Sequence, residues 1–244
     1  MNKLARYIYS IYAIITFVIL MFIAVIFVLF ASVFGKDKGG DMVYAICRIW
    51  AATWYFLIGI RHKNIFDAAH DNSRQYIFVA NHHSYQDIPT LLLTVQQKMR
   101  ILGKSELAKV PIFGFIYSMA AVLVDRQSAE KRAQSVMELK KVIASGKSIF
   151  IFPEGTFNES DNPLKPFYDG AFRIAIETQT NIKPVIFPDT VKRMHWSSIF
   201  KMTPGKNRSI FLQEVDVTGY TSSDIKKLKE EVYLQMEKVI IRYR

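Results

Sequence analysis

The sequence predicts an α/β protein with a largely parallel sheet covered by helices on both faces, preceded by an N-terminal hydrophobic two-helix membrane hairpin. Three observations predict it. Short apolar, β-branched runs recur beyond residue 60, helical patterns separate those runs, and two long apolar stretches fill the first sixty residues. The expected division is a membrane-associated hairpin at 1–60 and the α/β domain at 61–244.

The first apolar stretch, Tyr7 to Gly35, has 29 residues without a charge. As a helix, at about 1.5 Å per residue, it is long enough for a hydrocarbon core roughly 30 Å thick. A cleaved signal peptide has an apolar region of only about 7–15 residues before a small-residue cleavage site, so a retained membrane segment is expected. The second stretch, Met42 to Ile60, is broken only by Arg48 and carries Trp50, Trp54, Tyr55 and Phe56. Such aromatics favour the membrane–water interface. Lys3 and Arg6 precede the pair and Arg61, His62 and Lys63 follow it, while the connection balances Lys36 and Lys38 against Asp37 and Asp41. Cationic ends around a neutral turn place both ends on the cytoplasmic side. Arg48 is costly at mid-bilayer, so either the second helix is shallow or the whole hairpin dips into one leaflet and returns.

Beyond the hairpin the strand candidates are "YIFVAN", "MRILGK", "AAVLVDR", "SIFIFPEG", "IKPVIFP" and "SIFLQEVDV". Their continuous apolar character fits parallel strands buried on both faces. The clearest helix between them is 129–145, with Ala133, Val136, Leu139, Val142 and Ile143 on one face. The C-terminus repeats Ile225, Leu228, Val232, Met236, Val239 and Tyr243 at helical spacing. "VPIFGFIY", Val110–Tyr117, is too apolar for an exposed loop and reads as core or as a surface that sinks into a membrane.

The formal charge is +11, of which five basic and two acidic residues give +3 to 1–60 and leave +8 to the rest. A basic body beside a membrane segment fits anionic lipid, phosphate-bearing substrates or an acidic carrier protein. Nucleic acid is not an expected partner, because neither a basic–aromatic recognition motif nor a finger spacing is present. Cys47 is the only cysteine and lies in the second apolar stretch, which excludes an intrachain disulfide and argues against a cysteine nucleophile.

Two strand candidates end in residues with chemistry, "VAN" into "HHSYQD" and "FIFP" into "EGT", and strand ends are where open α/β sheets place their sites. Ser84 followed three residues later by Asp87 is a capping box, so a helix is expected to begin at Ser84, with Asn81, His82 and His83 in the turn before it. The plain reading of Asp87 is thus a helix-closing carboxylate. The functional reading pairs it with a histidine. On a continuous helix residues 83 and 87 share a face, whereas 82 and 87 stand about 140° apart. A histidine in the turn takes its direction from the loop, so periodicity leaves the partner open.

"NHHSYQD" contains the H-x-x-x-x-D motif of glycerolipid acyltransferases, and the chain resembles the 1-acylglycerol-3-phosphate acyltransferase family. Further blocks carry the resemblance in order from about Phe66 to Pro188: "GKSELAKVPIFG" at Gly103–Gly114, "VDR" at Val124–Arg126, "IFIFPEGT" at Ile149–Thr156, "GAFRIA" at Gly170–Ala175 and "KPVIFP" at Lys183–Pro188. The apolar two-helix lead-in fits bacterial members. The resemblance selects His82 as the catalytic histidine, with His83 at a variable position. It implies a membrane-associated acyltransferase domain at 61–244, on the cytoplasmic face of the inner membrane.

The implied reaction moves an acyl group from a thioester, acyl-CoA or acyl carrier protein, to the sn-2 hydroxyl of a 1-acyl lysolipid, with no cofactor. His82 would take the hydroxyl proton and Asp87 would hold its tautomer and stabilise the imidazolium. Backbone amides at the strand-to-helix turn are candidates for the oxyanion. For the acceptor phosphate the resemblance implies Arg126, whose guanidinium suits two-pronged binding; its plain alternative is an ion pair with Asp125. Lys104 is a second cation, with Gly155 and Thr156 offering amides and a hydroxyl. Glu154 is expected to orient a basic group or the acceptor, or to serve the turn. Two positions depart from the family pattern: Phe157 stands where arginine usually follows "FPEGT", and "PFYDGAF" carries Tyr168 and Asp169 where a lysine often precedes the glycine. Either the remaining cations suffice for lysophosphatidate, or the acceptor is another lysolipid, for example one with an amino-acid head group.

Other chemistries fit less well. No further histidine falls at a ligand spacing from His82, His83 and Asp87, so no metal is expected. Ser84 and Thr156 lack a G-x-S-x-G elbow. A thioesterase or lysophospholipase would use the same His–Asp pair on water, and transfer without or with acceptor separates it.

Overall fold

The computed structural model describes residues 1–124 and 129–243. Two helices, α1 (Lys3–Ser32) and α2 (Gly40–Leu57), are joined by a π-helical turn at Gly35–Gly39. They lead into strands and helices in the order β1 (Ile60–Phe66), β2 (Ile77–Ala80), α3 (Asp87–Thr94), β3 (Met99–Lys104), α4 (Phe113–Ala120), β4 (Ala121–Val124), α5 (Ala129–Ala144), β5 (Ser148–Ile151), α6 (Gly170–Thr178), β6 (Ile182–Ile186), α7 (Thr190–Arg193), β7 (Gly205–Phe211) and α8 (Ile225–Tyr243).

The seven strands form one sheet in the order β1-β7-β6-β2-β5-β3-β4. β2, β3, β4, β5 and β6 run parallel; β7 turns back against β6, and β1 follows β7. Alternate residues of β2 feed different cores, as a period of two requires. Ile77 and Val79 join Leu139 and Ile143 of α5, Phe172 of α6 and Leu228, Val232 and Met236 of α8. Phe78 and Ala80 join Leu91 and Leu92 of α3 and Val95 just after it, with Tyr44 and Ala51 of α2. Both faces are therefore covered, and β2 is buried along its whole length.

The polar-rich β1, "IRHKNIF", escapes a pattern search because it alternates and pairs with an equally polar β7. β7 begins at Gly205 and ends at Phe211, earlier than the run 209–217. Beyond it Leu212 N still donates to Pro184 O of β6, and Val215 bridges back opposite Ile182.

α1 and α2 pack side by side. The Phe17 ring sits edge-on to Trp50 and Trp54, and Trp54 Nε1 donates to Ala13 O at 2.9 Å. At the turn the helices approach so closely that a methyl on Gly39 would lie 2.4 Å from Ala31 O. The far side of α2 belongs to the sheet domain: Tyr55 OH donates to Gln86 O at 3.2 Å, and Arg48 reaches Gln96 beyond α3. The charge of Arg48 is thus spent on the domain surface. α1 keeps its outer face bare from Leu4 to Phe30, and it is the one described helix long and apolar enough to cross a membrane.

The segment Val110–Tyr117 is not core: only Gly114 is buried there. It begins with a tight turn in which Phe113 N donates to Pro111 O at 2.7 Å around Ile112 at φ 65° and ψ −60°. That is the strained γ-turn conformation, rare for a β-branched residue.

Candidate active site

β2 is flanked by β6 and β5, so the segments leaving these three strands meet at one edge of the sheet. Asn81, just after β2, makes two bonds to Phe187 after β6: Nδ2 donates to Phe187 O at 3.1 Å, and Oδ1 accepts from Phe187 N at 2.7 Å. On the other side His82 N donates to Oε1 of Glu154, after β5, at 2.8 Å. The turn carrying the histidines is pinned from both neighbours before any side-chain chemistry is considered.

Within that turn Asp87 does two jobs with one oxygen. Oδ2 accepts from the backbone amides of His83 at 2.8 Å and Ser84 at 2.9 Å, and from His82 Nδ1 at 2.8 Å. Ser84 Oγ accepts from Gln86 N at 3.1 Å, while Asp87 N donates to Ser84 O, so only the carboxylate half of the expected capping box forms. The first turn from Ser84 has i→i+3 bonds, and α3 proper starts at Asp87. Asp87 thus caps the turn and bonds the His82 ring with the same oxygen. His82 is the ring partner, and His83 is the backbone partner.

The Asp87 bond places the ring hydrogen on His82 Nδ1 and leaves Nε2 as the acceptor. Nε2 makes no hydrogen bond among the described residues. The imidazole stacks on Phe152, with centroids 4.0 Å apart, and meets Phe157 edge-on at 4.4 Å. Phe157 in turn takes Tyr85 edge-on at 4.7 Å. His83 points elsewhere: its ring nitrogens lie 3.3 Å from Asn158 O and 3.2 Å from Pro163 O. Its ring lines a cavity of about 380 Å³ together with Asn81, Asn158, His195 and Trp196, and His82 is not among the lining residues.

Glu154 is buried, and its second oxygen accepts from Lys165 N at 2.9 Å, so the carboxylate straddles two backbone amides. Burial pushes its pKa up to about 7, against the pull of the two amides. Gly155, next in chain, holds φ 72°, a left-handed conformation suited to glycine. Thr156 is exposed, and its hydroxyl accepts from Lys165 Nζ at 2.8 Å.

The amides of His82, His83 and Ser84 are all committed to carboxylates. They do not supply the oxyanion donors that the turn led one to expect. Lys104 stands exposed at the end of β3, two strands from β2, with no hydrogen bond or ion pair among the described residues. Arg126 and Asp125 lie outside the described residues. Asp169 is neutralised by Lys229 of α8, with Nζ to Oδ1 at 2.6 Å.

Lys165 is the site residue that sequence reasoning missed. Its signal was present: a lone cation between Pro163 and Pro166, both of which fix their own backbone. Its Nζ also lies 3.4 Å from Phe157 O, and no carboxylate comes within ion-pair distance among the described residues.

A histidine ring held by a buried carboxylate at the end of a central parallel strand is an arrangement able to take a proton from a nucleophile. The acyltransferase family model matches residues 61–188, more than half of the chain, and the chain belongs to that family. It is 28% identical over 209 residues to the 1-acyl-sn-glycerol-3-phosphate acyltransferase of Haemophilus influenzae, covering 85% of each chain. It is 33% identical over 119 residues to the chloroplastic enzyme BAT2 of Brassica napus, covering 48% of this chain and 34% of that longer one. The crystal structure of the 1-acyl-sn-glycerophosphate acyltransferase PlsC from Thermotoga maritima superposes with a TM-score of 0.76 at 22% identity, over 100% of this chain and 99% of that one.

Proposed function

We propose that this chain is a 1-acylglycerol-3-phosphate acyltransferase, esterifying the sn-2 hydroxyl of lysophosphatidate to give phosphatidic acid. The observation that carries the reading is the 2.8 Å bond from His82 Nδ1 to Asp87 Oδ2, which leaves Nε2 as a proton acceptor. The lysolipid oxygen attacks the thioester carbonyl as its proton passes to Nε2. The tetrahedral intermediate collapses by breaking the C–S bond, and the imidazolium returns the proton to the departing sulfur. Asp87 stabilises that imidazolium throughout. Lys165 beside Thr156 supports a phosphate-bearing acceptor, as do the printed names of the relatives. The thioester donor is acyl-CoA or acyl carrier protein, both acidic and suited to a basic chain.

The bare apolar face of α1 supports a seat in the bilayer. Because α1 is packed along α2, and α2 along the sheet domain, we read the pair as lying in one leaflet of the inner membrane from the cytoplasmic side.

The test is thioester consumption by the purified chain in lipid, with and without lysophosphatidate, beside His82→Ala and His83→Ala. Acceptor-dependent thiol release and a diacyl product, lost in His82→Ala and retained in His83→Ala, are expected. Release without acceptor identifies a thioesterase or lysophospholipase. Turnover only with another lysolipid reassigns the head group.

A further inference from the structure

The chain between α7 and β7 carries features that acyl transfer leaves unused. Residues 190–213 hold five basic residues, Lys192, Arg193, Lys201, Lys206 and Arg208, and no acidic one. Arg208 is neutralised by Asp189 just before the stretch, through bonds of 2.7 and 2.8 Å. At the tip of the loop Ile199 is 46% and Phe200 38% exposed, with Trp196 half-buried beside them.

This loop is tied to both parts of the molecule that meet lipid in the proposed reaction. The Phe200 ring stacks on Tyr7 in α1 with centroids 5.5 Å apart, and Met202 N donates to Ser10 Oγ of α1 at 3.1 Å. At its other end Met194 O accepts from Ser84 Oγ of the His82 turn at 2.6 Å. Because β7 runs against β6, the loop enters β7 at the sheet edge where β2, β5 and β6 deliver the site. Leu4, Tyr7, Ile8 and Ile11 are exposed on the adjoining end of α1, so Ile199 and Phe200 prolong its bare face.

We propose that residues 195–201 form a second membrane-docking element, which seats on an anionic bilayer beside α1. Ile199 and Phe200 enter the acyl boundary, Trp196 lies at the interface, and Lys201 meets the phosphates. Apolar tips ringed by cations bind lipid surfaces in this way, with both burial and charge contributing. Docking fixes the His82 turn at the level where a lysolipid hydroxyl emerges. The inference rests on the reading of α1 as membrane-seated.

The experiment places a nitroxide at Ile199→Cys, and separately at Ile26→Cys on the bare face of α1, in a Cys47→Ala background. The full chain is reconstituted into phosphatidylglycerol-rich or pure phosphatidylcholine vesicles. Oxygen collisions exceeding those of a water-soluble nickel complex at 199, with deeper immersion in the anionic vesicles, are expected. An aqueous label at 199 with a lipid-immersed label at 26 overturns this proposal and spares α1. Aqueous labels at both positions overturn both. Immobilisation at 199 by acyl carrier protein without vesicles overturns the proposal in favour of a protein partner. A second arm keeps Cys47: Ile199→Asp with Phe200→Asp raises KM for vesicle-borne lysophosphatidate about tenfold, with kcat on a short-chain, water-soluble acceptor unchanged. An unchanged KM there counts against the loop.

Discussion

Phe157 lies edge-on to the His82 ring, with centroids 4.4 Å apart and planes at 71°. With Phe152 on the flat face of the imidazole, it forms two sides of an aromatic slot that fixes the base. Removing one ring of such a pair forfeits about 0.5–1.5 kcal/mol. In Phe157→Ala, kcat is expected to fall roughly three- to tenfold, with a smaller change in KM for the acceptor. Steady-state kinetics at saturating donor measure it.

Lys165 contributes two separable things. Its backbone amide holds Glu154, and its ammonium holds Thr156. Lys165→Met keeps the first and removes the second. A lost charge-assisted contact to phosphate, about 1.5–3 kcal/mol, raises KM for lysophosphatidate roughly ten- to hundredfold while kcat changes less. Lys165→Arg recovers part of the loss, and an acceptor without phosphate shows no penalty.

Asp87→Asn retains an oxygen for the helix cap and deprives His82 of its counter-charge. A drop in kcat of about 10²- to 10⁴-fold is expected, with only a modest shift in melting temperature. Parallel activity and thermal-unfolding measurements in detergent separate the two roles.

Glu154 gives stability a pH dependence of unusual sign for a carboxylate. Its pKa of about 7 in the fold lies above the ordinary 4.5, so between those values the folded state holds the extra proton. This contribution is fully present below pH 4.5 and is lost as pH rises through about 7. The slope for one full proton is about 1.4 kcal/mol per pH unit. Glu154→Gln should flatten the melting-temperature profile across that window. It also sets an amide NH₂ against one of two backbone donors, so activity falls along with the cap of the His82 turn.

Much of the sheet is legible in the sequence because buried parallel strands are continuous apolar runs, and β3 coincides with "MRILGK" residue for residue. β1 is not legible, since "RHKN" gains its place only by pairing with β7 far along the chain. Periodicity cannot decide between His82 and His83, because the turn's direction is set by Phe187 and Glu154 in the segments that follow β6 and β5. The cap at Ser84–Asp87 is local and therefore visible. Lys165 is brought to Thr156 by the fold of a proline-flanked segment, which no spacing rule anticipates.

The pairing of β1 with β7 also has a consequence in time. Ile60 waits for Gly205, roughly 145 residues later in synthesis. At about 5–20 residues per second, that delay is on the order of ten seconds. During it α1 and α2 have already left the ribosome, while the strand behind them has no neighbour. Early delivery of α1 to a bilayer keeps its apolar flank out of water during the wait. Slowed targeting therefore exposes the nascent chain to aggregation before the last strand of the sheet exists.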